Sequence, residues 1–253
     1  QIFLLEWDEN GGRIANMATR ITVWIYILGG ILTISAFCGG IAGGYFRLLG
    51  PGPAFGLFVL GMLGGVIISL AGLIDLARNG AQPRTAVLVM GLIPAAMLIY
   101  SAISGRQYPM INDVTTDLVY PPQFIHALTL PENEGLEMNF PAEFEDVIES
   151  EYGDLMPLAL NHTIDDVHMA TLNAVNGLSN WKTLSTDIST KEIVLEGIVT
   201  SEVFGFVDDF VIRIESANSG GCVVDMRSRS RMGKGDFGQN AAHIRLLFET
   251  IKL

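Results

Sequence analysis

Three long runs with almost no interior charge constrain what this chain can fold into. Residues 21–46 (ITVWIYILGGILTISAFCGGIAGGYF) and 86–104 (AVLVMGLIPAAMLIYSAIS) carry no charged side chain. Residues 55–77 carry only Asp75, close to their end. A bilayer core is crossed by roughly 20 apolar residues in a helix, so each run is long enough to span. A chain of 253 residues would struggle to bury three such helices in a soluble core. The prediction is a three-helix transmembrane domain over 21–106, preceded by an N-terminal interfacial segment over 1–20. In that segment the apolar stretch Ile2–Trp7 suits a membrane interface or a partner surface. The chain opens with Gln1 and not Met, which leaves room for residues before it.

Glycine spacing supports a lipid setting. Gly39 and Gly43, Gly40 and Gly44, and Gly61 and Gly65 are each four apart, the small-residue spacing that lets helices approach closely. In water each glycine would weaken a helix by up to about 1 kcal/mol relative to Ala. These six glycines are candidate helix-packing residues, either among the chain's own three helices or against a partner helix. Pro94 should kink or locally unwind the third span. Asp75 and Arg78, three apart, suit an ion pair at the interface. No span has an ionisable residue near its middle, so nothing resembles a transport pathway.

Basic residues in short flanks set orientation. Arg13, Arg20, Arg78 and Arg84 fall on one side of three crossings, and Arg47 and Arg106 on the other. Four against two puts the N-terminus in the cytoplasm and the C-terminal domain outside. In a bacterial inner membrane, the favoured setting, that domain is periplasmic; in a thylakoid it is lumenal.

Beyond Arg106 the composition breaks. The first 106 residues carry a net charge of +2 and the remaining 147 carry −14, too sharp a division for one domain. The second part, 107–253, is expected to be a soluble acidic domain. Its charge argues against nucleic acid, whose phosphates need Lys and Arg. Cys38 lies in an apolar run and Cys222 in the polar half, which makes a disulfide between them unexpected. Residues 131–157 hold nine carboxylates, with no Lys or Arg between Gln107 and Trp181. Such a tract is either a solvated loop with a short helix or an electrostatic docking surface for a basic soluble partner. It lacks the DxDxDG-type loop of a calcium site.

Secondary structure in this half reads as an extended lead-in over 108–124, then a helix over 164–178 with Asp165 and Asp166 in its first turn. Strand-like stretches follow at Trp181–Asp187, Glu192–Thr200, Phe210–Glu215 and Cys222–Arg229. A last helix is predicted after Asp236 and Gln239, spaced as a capping box, burying Phe237, Ala241, Ile244, Leu247, Phe248 and Ile251. The fold class is therefore membrane α-helical with three spans, plus a soluble two-layer α+β domain with an antiparallel sheet and a C-terminal helix.

Three runs carry a family resemblance: Ile111–Asp117 with Pro121-Pro122, Asp208–Arg213, and Val224–Asn240 (VDMRSRSRMGKGDFGQN). Together they resemble the family described as domain of unknown function 1499, found in bacteria and plastid-bearing organisms and often placed behind membrane spans. The resemblance covers about Tyr108 to Leu253. It implies no activity. Read as chemistry, alternation along a strand puts Asp225, Arg227, Arg229 and Arg231 on one face and Met226, Ser228 and Ser230 on the other. With Arg213 on the preceding strand, close to Asp208 and Asp209, a ladder of Arg–Asp pairs is the structural expectation. The functional alternative is an anion-, lipid- or small-molecule-binding domain, or an enzyme, using the arginine-rich turn at 227–234. There Arg229, Arg231 and Lys234 beside a helix N-terminus would hold a phosphate, a lipid headgroup or a partner carboxylate.

No catalytic, cofactor or metal set emerges. His126, His162, His168 and His243 are scattered, there is no CxxC, and there is no GxSxG elbow. The leading expectation is a non-catalytic accessory subunit among membrane lipids and the other subunits of a membrane complex. Membranes of respiratory or photosynthetic electron transfer are one setting that fits.

Overall fold

The computed structural model describes residues 9–81, 87–189, 191–217 and 220–253, with side chains from residue 21 onward. These fall into two compact units that divide between Ser104 and Gly105. The segment Ile2–Trp7 and Arg84 lie outside the described residues.

The first unit is three helices, each long and apolar enough to cross a membrane: α1 (Glu9–Tyr45), α2 (Pro51–Asn79) and α3 (Val87–Ser104). Proline at the first position of α2 costs no hydrogen bond, because that N–H would be unpaired in any case. Gly80, at φ +68°, ends α2 and returns its N–H to Leu76 O. Glycine is spent on close approach to α2. A methyl on Gly40 would lie 2.7 Å from Ala54 O, and one on Gly65 would lie 2.8 Å from Gly91 O. Gly61 meets the backbone of Phe37 in the same way. Gly43 seats the side chain of Leu49, Gly39 packs more loosely on Leu57, and the Gly44 carbonyl accepts from Arg47. Internal packing thus uses these glycines, α2 serving both neighbours. Pro94 lies buried within a helix that continues through it. Asp75 is buried and accepts from Asn79 Nδ2 at 2.8 Å, a partner not anticipated beside Arg78. The outward faces are apolar and open, with Leu32, Ile67, Ile93 and Tyr100 among the most exposed.

The second unit holds a six-stranded antiparallel sheet: β1 (Asp113–Thr115), β2 (Leu158–Leu160), β3 (Trp181–Ile188), β4 (Glu192–Thr200), β5 (Val207–Ser216) and β6 (Cys222–Ser230). Four strands run in the order β6-β5-β4-β3. The free edge of β6 is shared, β1 pairing with residues 227–229 and β2 with 222–224. Three helices accompany the sheet: α4 (Glu145–Glu151), α5 (Ile164–Gly177) and α6 (Gln239–Thr250). On one face Val224, Met226, Ile212, Ile214, Leu195 and Ile193 form a core with Val167 and Val175 of α5 and Ile244 and Leu247 of α6. Thr163 caps α5, its hydroxyl accepting from Asp166 N.

The start of α6 departs from the sequence expectation. The helix begins at Gln239, after Gly238 at φ +77°. Asp236 still serves its N-terminus, accepting from Gly238 N and Asn240 N at 2.8 Å each, but from outside the helix. Phe237, expected in the core, is 58% exposed and itself left-handed at φ +55°. Two consecutive positive φ values turn its side chain away from the sheet.

Two three-residue strands were not foreseen. β1 forms inside the segment read as an extended lead-in, and β2 follows the acidic tract. Most of that tract is the solvated turn-and-short-helix form, with α4 within it.

Candidate functional site

The opposite face of the sheet carries charge, in rows that cross the strands. Pairing aligns Asp113, Arg229 and Asp209 in one row; Thr115, Arg227, Val211 and Glu196 in the next; and Asp225, Arg213 and Val194 in the third. A covering segment, roughly 117–141, closes this face. It packs a small second core of Phe124, Ala127 and Met138 on Val211.

Arg227 is at the centre and fully buried. Its Nε and Nη2 donate to the two oxygens of Asp113 at 2.9 and 2.7 Å. The remaining donors reach the carbonyls of Met138 at 2.9 Å and Pro122 at 3.3 Å. The rings of Phe124 and Phe140 flank the guanidinium at 4.8 and 5.5 Å. Burial pushes the Asp113 carboxyl above its ordinary value, and the bonds from Arg227 pull against that.

Each remaining pair is built differently. Arg231 grips Asp209 with two bonds of 2.8 and 2.6 Å, which raises the Arg231 pKa. Asp209 also accepts from Asn133 of the covering segment. Arg213 joins Asp117 at 2.7 Å and Asp225 at 3.1 Å and donates to Tyr120 O. Burial opposes ionisation of Asp117, but the N–H groups of Tyr120 and Val119 and the Arg213 guanidinium outweigh it, and its pKa falls. Glu196 accepts three backbone N–H groups, from Ile125, His126 and Ala127, at 2.7–2.9 Å.

Arg229 is the exception. It is 8% exposed, its Nε lies 3.8 Å from Asp113, and its Nη1 is buried without a hydrogen-bond partner. Burial lowers its pKa.

The structure therefore brings Asp209, Arg213, Asp225, Arg227, Arg229 and Arg231 to one face. Arg213 bonds Asp117 and Asp225, not the adjacent Asp208 and Asp209. Asp208 and Lys234 stand apart, Lys234 exposed on the turn after β6 and Asp208 on the helix-covered face. The N-terminus of α6 is also on that other face, already served by Asp236. Arg229, Arg231 and Lys234 consequently do not converge with a helix N-terminus on one anion.

A second polar cluster was not read from the sequence. Asn240, fully buried, donates to Asp236 at 2.7 Å, Ser230 Oγ at 3.0 Å and Asn112 O at 3.1 Å. Ser228 Oγ donates to Asn240 Oδ1 at 2.7 Å. His243 Nδ1 lies 3.4 Å from Ser228 Oγ and 3.7 Å from Asp208. Burial lowers His243 to about 4 and raises Asp208 to about 6. This is not a nucleophilic triad: Ser228 is fully buried, and serine and aspartate approach the same ring nitrogen. The alternating Ser228 and Ser230 of β6 were the signal, but their partners lie at least ten residues further on. Among the described residues no three His, Cys, Asp or Glu side chains converge as metal ligands.

A membrane-spanning helical unit thus precedes an α+β domain whose sheet buries an arginine–aspartate lattice. The family model described as protein of unknown function (DUF1499) matches residues 113–251, more than half of the chain, and the chain belongs to that family. Both polar clusters lie almost wholly inside the matched span. Comparison with curated proteins and with solved structures gives no match.

Proposed function

We propose that this protein is a membrane-anchored, non-catalytic accessory or assembly subunit that contacts a larger membrane complex. One observation carries the reading: charge in the soluble unit is segregated. All nine carboxylates of residues 131–157 are exposed, while Arg213, Arg227, Arg229 and Arg231 are turned inward against Asp113, Asp117, Asp209 and Asp225. The outward field is acidic and suits a basic soluble partner. Because Gly40, Gly61 and Gly65 are used between the chain's own helices, the membrane contacts fall to the open apolar faces of α1–α3. The arginine count of the flanks supports a cytoplasmic N-terminus and an outer domain that is periplasmic or lumenal. Extraction of the native protein in mild detergent, followed by native electrophoresis and mass spectrometry, tests the proposal. Recovery at fixed stoichiometry with a larger complex is expected; migration alone would overturn it.

A second reading rests on Arg229, whose buried Nη1 lacks a partner. A carboxylate or phosphate reaching that donor would make the charged face an anion site. Titration of the intact protein with inorganic phosphate should then show binding that Arg229→Ala removes while thermal stability stays within a few degrees. Unfolding on substitution would instead mark Arg229 as part of the lattice alone.

A further inference from the structure

The turn after β6 and the chain leaving α3 together expose a cluster of large apolar side chains. Met110 is 77% exposed, Phe237 58%, Met232 51% and Tyr108 43%. Three of them are each seated on a glycine. A methyl on Gly105 would meet the Phe237 ring at 2.7 Å, one on Gly235 would meet Met110 Sδ at 2.7 Å, and one on Gly238 would meet the Tyr108 ring at 2.5 Å. Three of the four side chains thus have a defined seat, and Phe237 is exposed on a left-handed backbone, a conformation a bulky residue seldom takes. Its place along the chain decides what it meets. Gly105, which touches Phe237, is bonded directly to Ser104, the last residue of α3, and the apolar stretch counted as the third span runs on to Gln107. A ring seated on the residue that follows α3 stays close, by chain connectivity alone, to where the third apolar helix ends. Exposed Arg106 and Lys234 adjoin these residues along the chain, Lys234 in a half otherwise dominated by carboxylates.

We propose that Tyr108, Met110, Met232 and Phe237 form a membrane-docking tip of the soluble domain. The apolar side chains enter the interfacial layer, and Arg106 and Lys234 meet lipid phosphates. The tip gives the domain a second hold on the bilayer, independent of any partner subunit.

The full chain, one copy per nanodisc containing phosphatidylglycerol, provides the test. Met110→Cys and Phe237→Cys, each in a Cys38→Ala background and labelled with an environment-sensitive fluorophore, report depth; Ser150→Cys on α4 is the solvent reference. Cys222 is buried and remains unlabelled. Blue-shifted emission at 110 and 237, quenched by lipids spin-labelled near the headgroup and protected from iodide, is the expected result. Replacing Lys234 with Glu should then weaken the lipid quenching in anionic discs. Iodide quenching at 110 and 237 equal to that at 150 would overturn the proposal. Protection from both quenchers would do so too, because it would mean coverage by protein. None of these readouts depends on a partner complex, so this proposal and the accessory-subunit reading fail separately.

Discussion

On one face of the soluble sheet Met226, Ile212 and Leu195 lie in a row beneath α5 and α6. On the other, one residue along, Thr115, Arg227, Val211 and Glu196 lie beneath an irregular segment. Both rows are closed to water. The difference follows from what covers them. A helix satisfies its own backbone, so the sheet beneath it needs only apolar surface. An irregular segment buried against a sheet brings N–H and C=O groups that need partners. Here charged side chains supply them. Arg227 donates to two carbonyls of the segment, Arg213 to a third, and Glu196 accepts three N–H groups. The lattice serves the covering segment as a ladder of hydrogen bonds serves a strand.

This comparison can be broken at several points. The largest effect is expected from Arg227→Ala. It strips the buried Asp113 of both its arginine hydrogen bonds, leaving only Arg229 at 3.8 Å, and two carbonyls of theirs. Removing one member of such a pair costs about 3–5 kcal/mol. Denaturant unfolding followed by fluorescence of Trp181, which packs on Phe210, would measure it. A loss under about 1 kcal/mol would mean the buried ions contribute little. Ile244→Ala on the apolar face should cost somewhat less, about 2–4 kcal/mol, through the cavity it leaves. Hydrogen exchange separates the two: the arginine variant should release amides of 122–138, whereas the isoleucine variant should release α5 and α6 first. Glu196→Gln is milder, about 1–3 kcal/mol, since a neutral amide accepts less strongly from Ile125, His126 and Ala127. Its signature is faster exchange at those three amides with the helix-covered core unchanged.

The smallest effect concerns pH and the cluster around Asn240. Asp208, raised by burial to about 6, holds a proton in the folded state that the unfolded chain has released. Its contribution to stability therefore falls as pH rises from about 4 to 6. His243, lowered by burial to about 4, must lose in the fold a proton that the unfolded chain keeps up to its ordinary 6.5. Its contribution rises over nearly the same window. Each slope is at most about 1.4 kcal/mol per pH unit, and the two largely cancel. Asp208→Asn should reveal stability climbing from pH 4 to 6.5, and His243→Gln should reveal stability declining from pH 4 to 6. Flat profiles in both variants would show that neither burial perturbs titration.

Legibility in the sequence followed the range of the interactions. The strands β3–β6, the helices α5 and α6 and the second and third apolar helices have their own periodicity. They match the sequence reading to within a few residues, whereas α1 begins at Glu9, inside the segment expected to precede the first span. Alternation in β6 also showed which of its side chains share a face. What they touch was hidden. Asp113 is 114 residues from Arg227, and Asp117 is 96 from Arg213, separations at which no pattern of spacing points to a partner. β1 and β2, at three residues each, are too short to show alternation, and they exist as strands because β6 offers an edge. Phe237 was placed in the core by helical spacing, and the two left-handed residues that end that spacing are a backbone choice with no periodic signature.

The shared edge of β6 also has a consequence in time. A ribosome adding about 5–20 residues per second makes Asp113 roughly 6–23 s before Arg227, 114 residues further on. Through that interval the newly made end of α3 has already offered itself to the bilayer, while the first strand beyond it has nothing to pair with. The waiting stretch, Asn112 to Asp117, is mostly polar and contains a single large apolar side chain, Val114. A nascent chain that must idle beside a membrane for many seconds is safest when the part left idle has little to stick with.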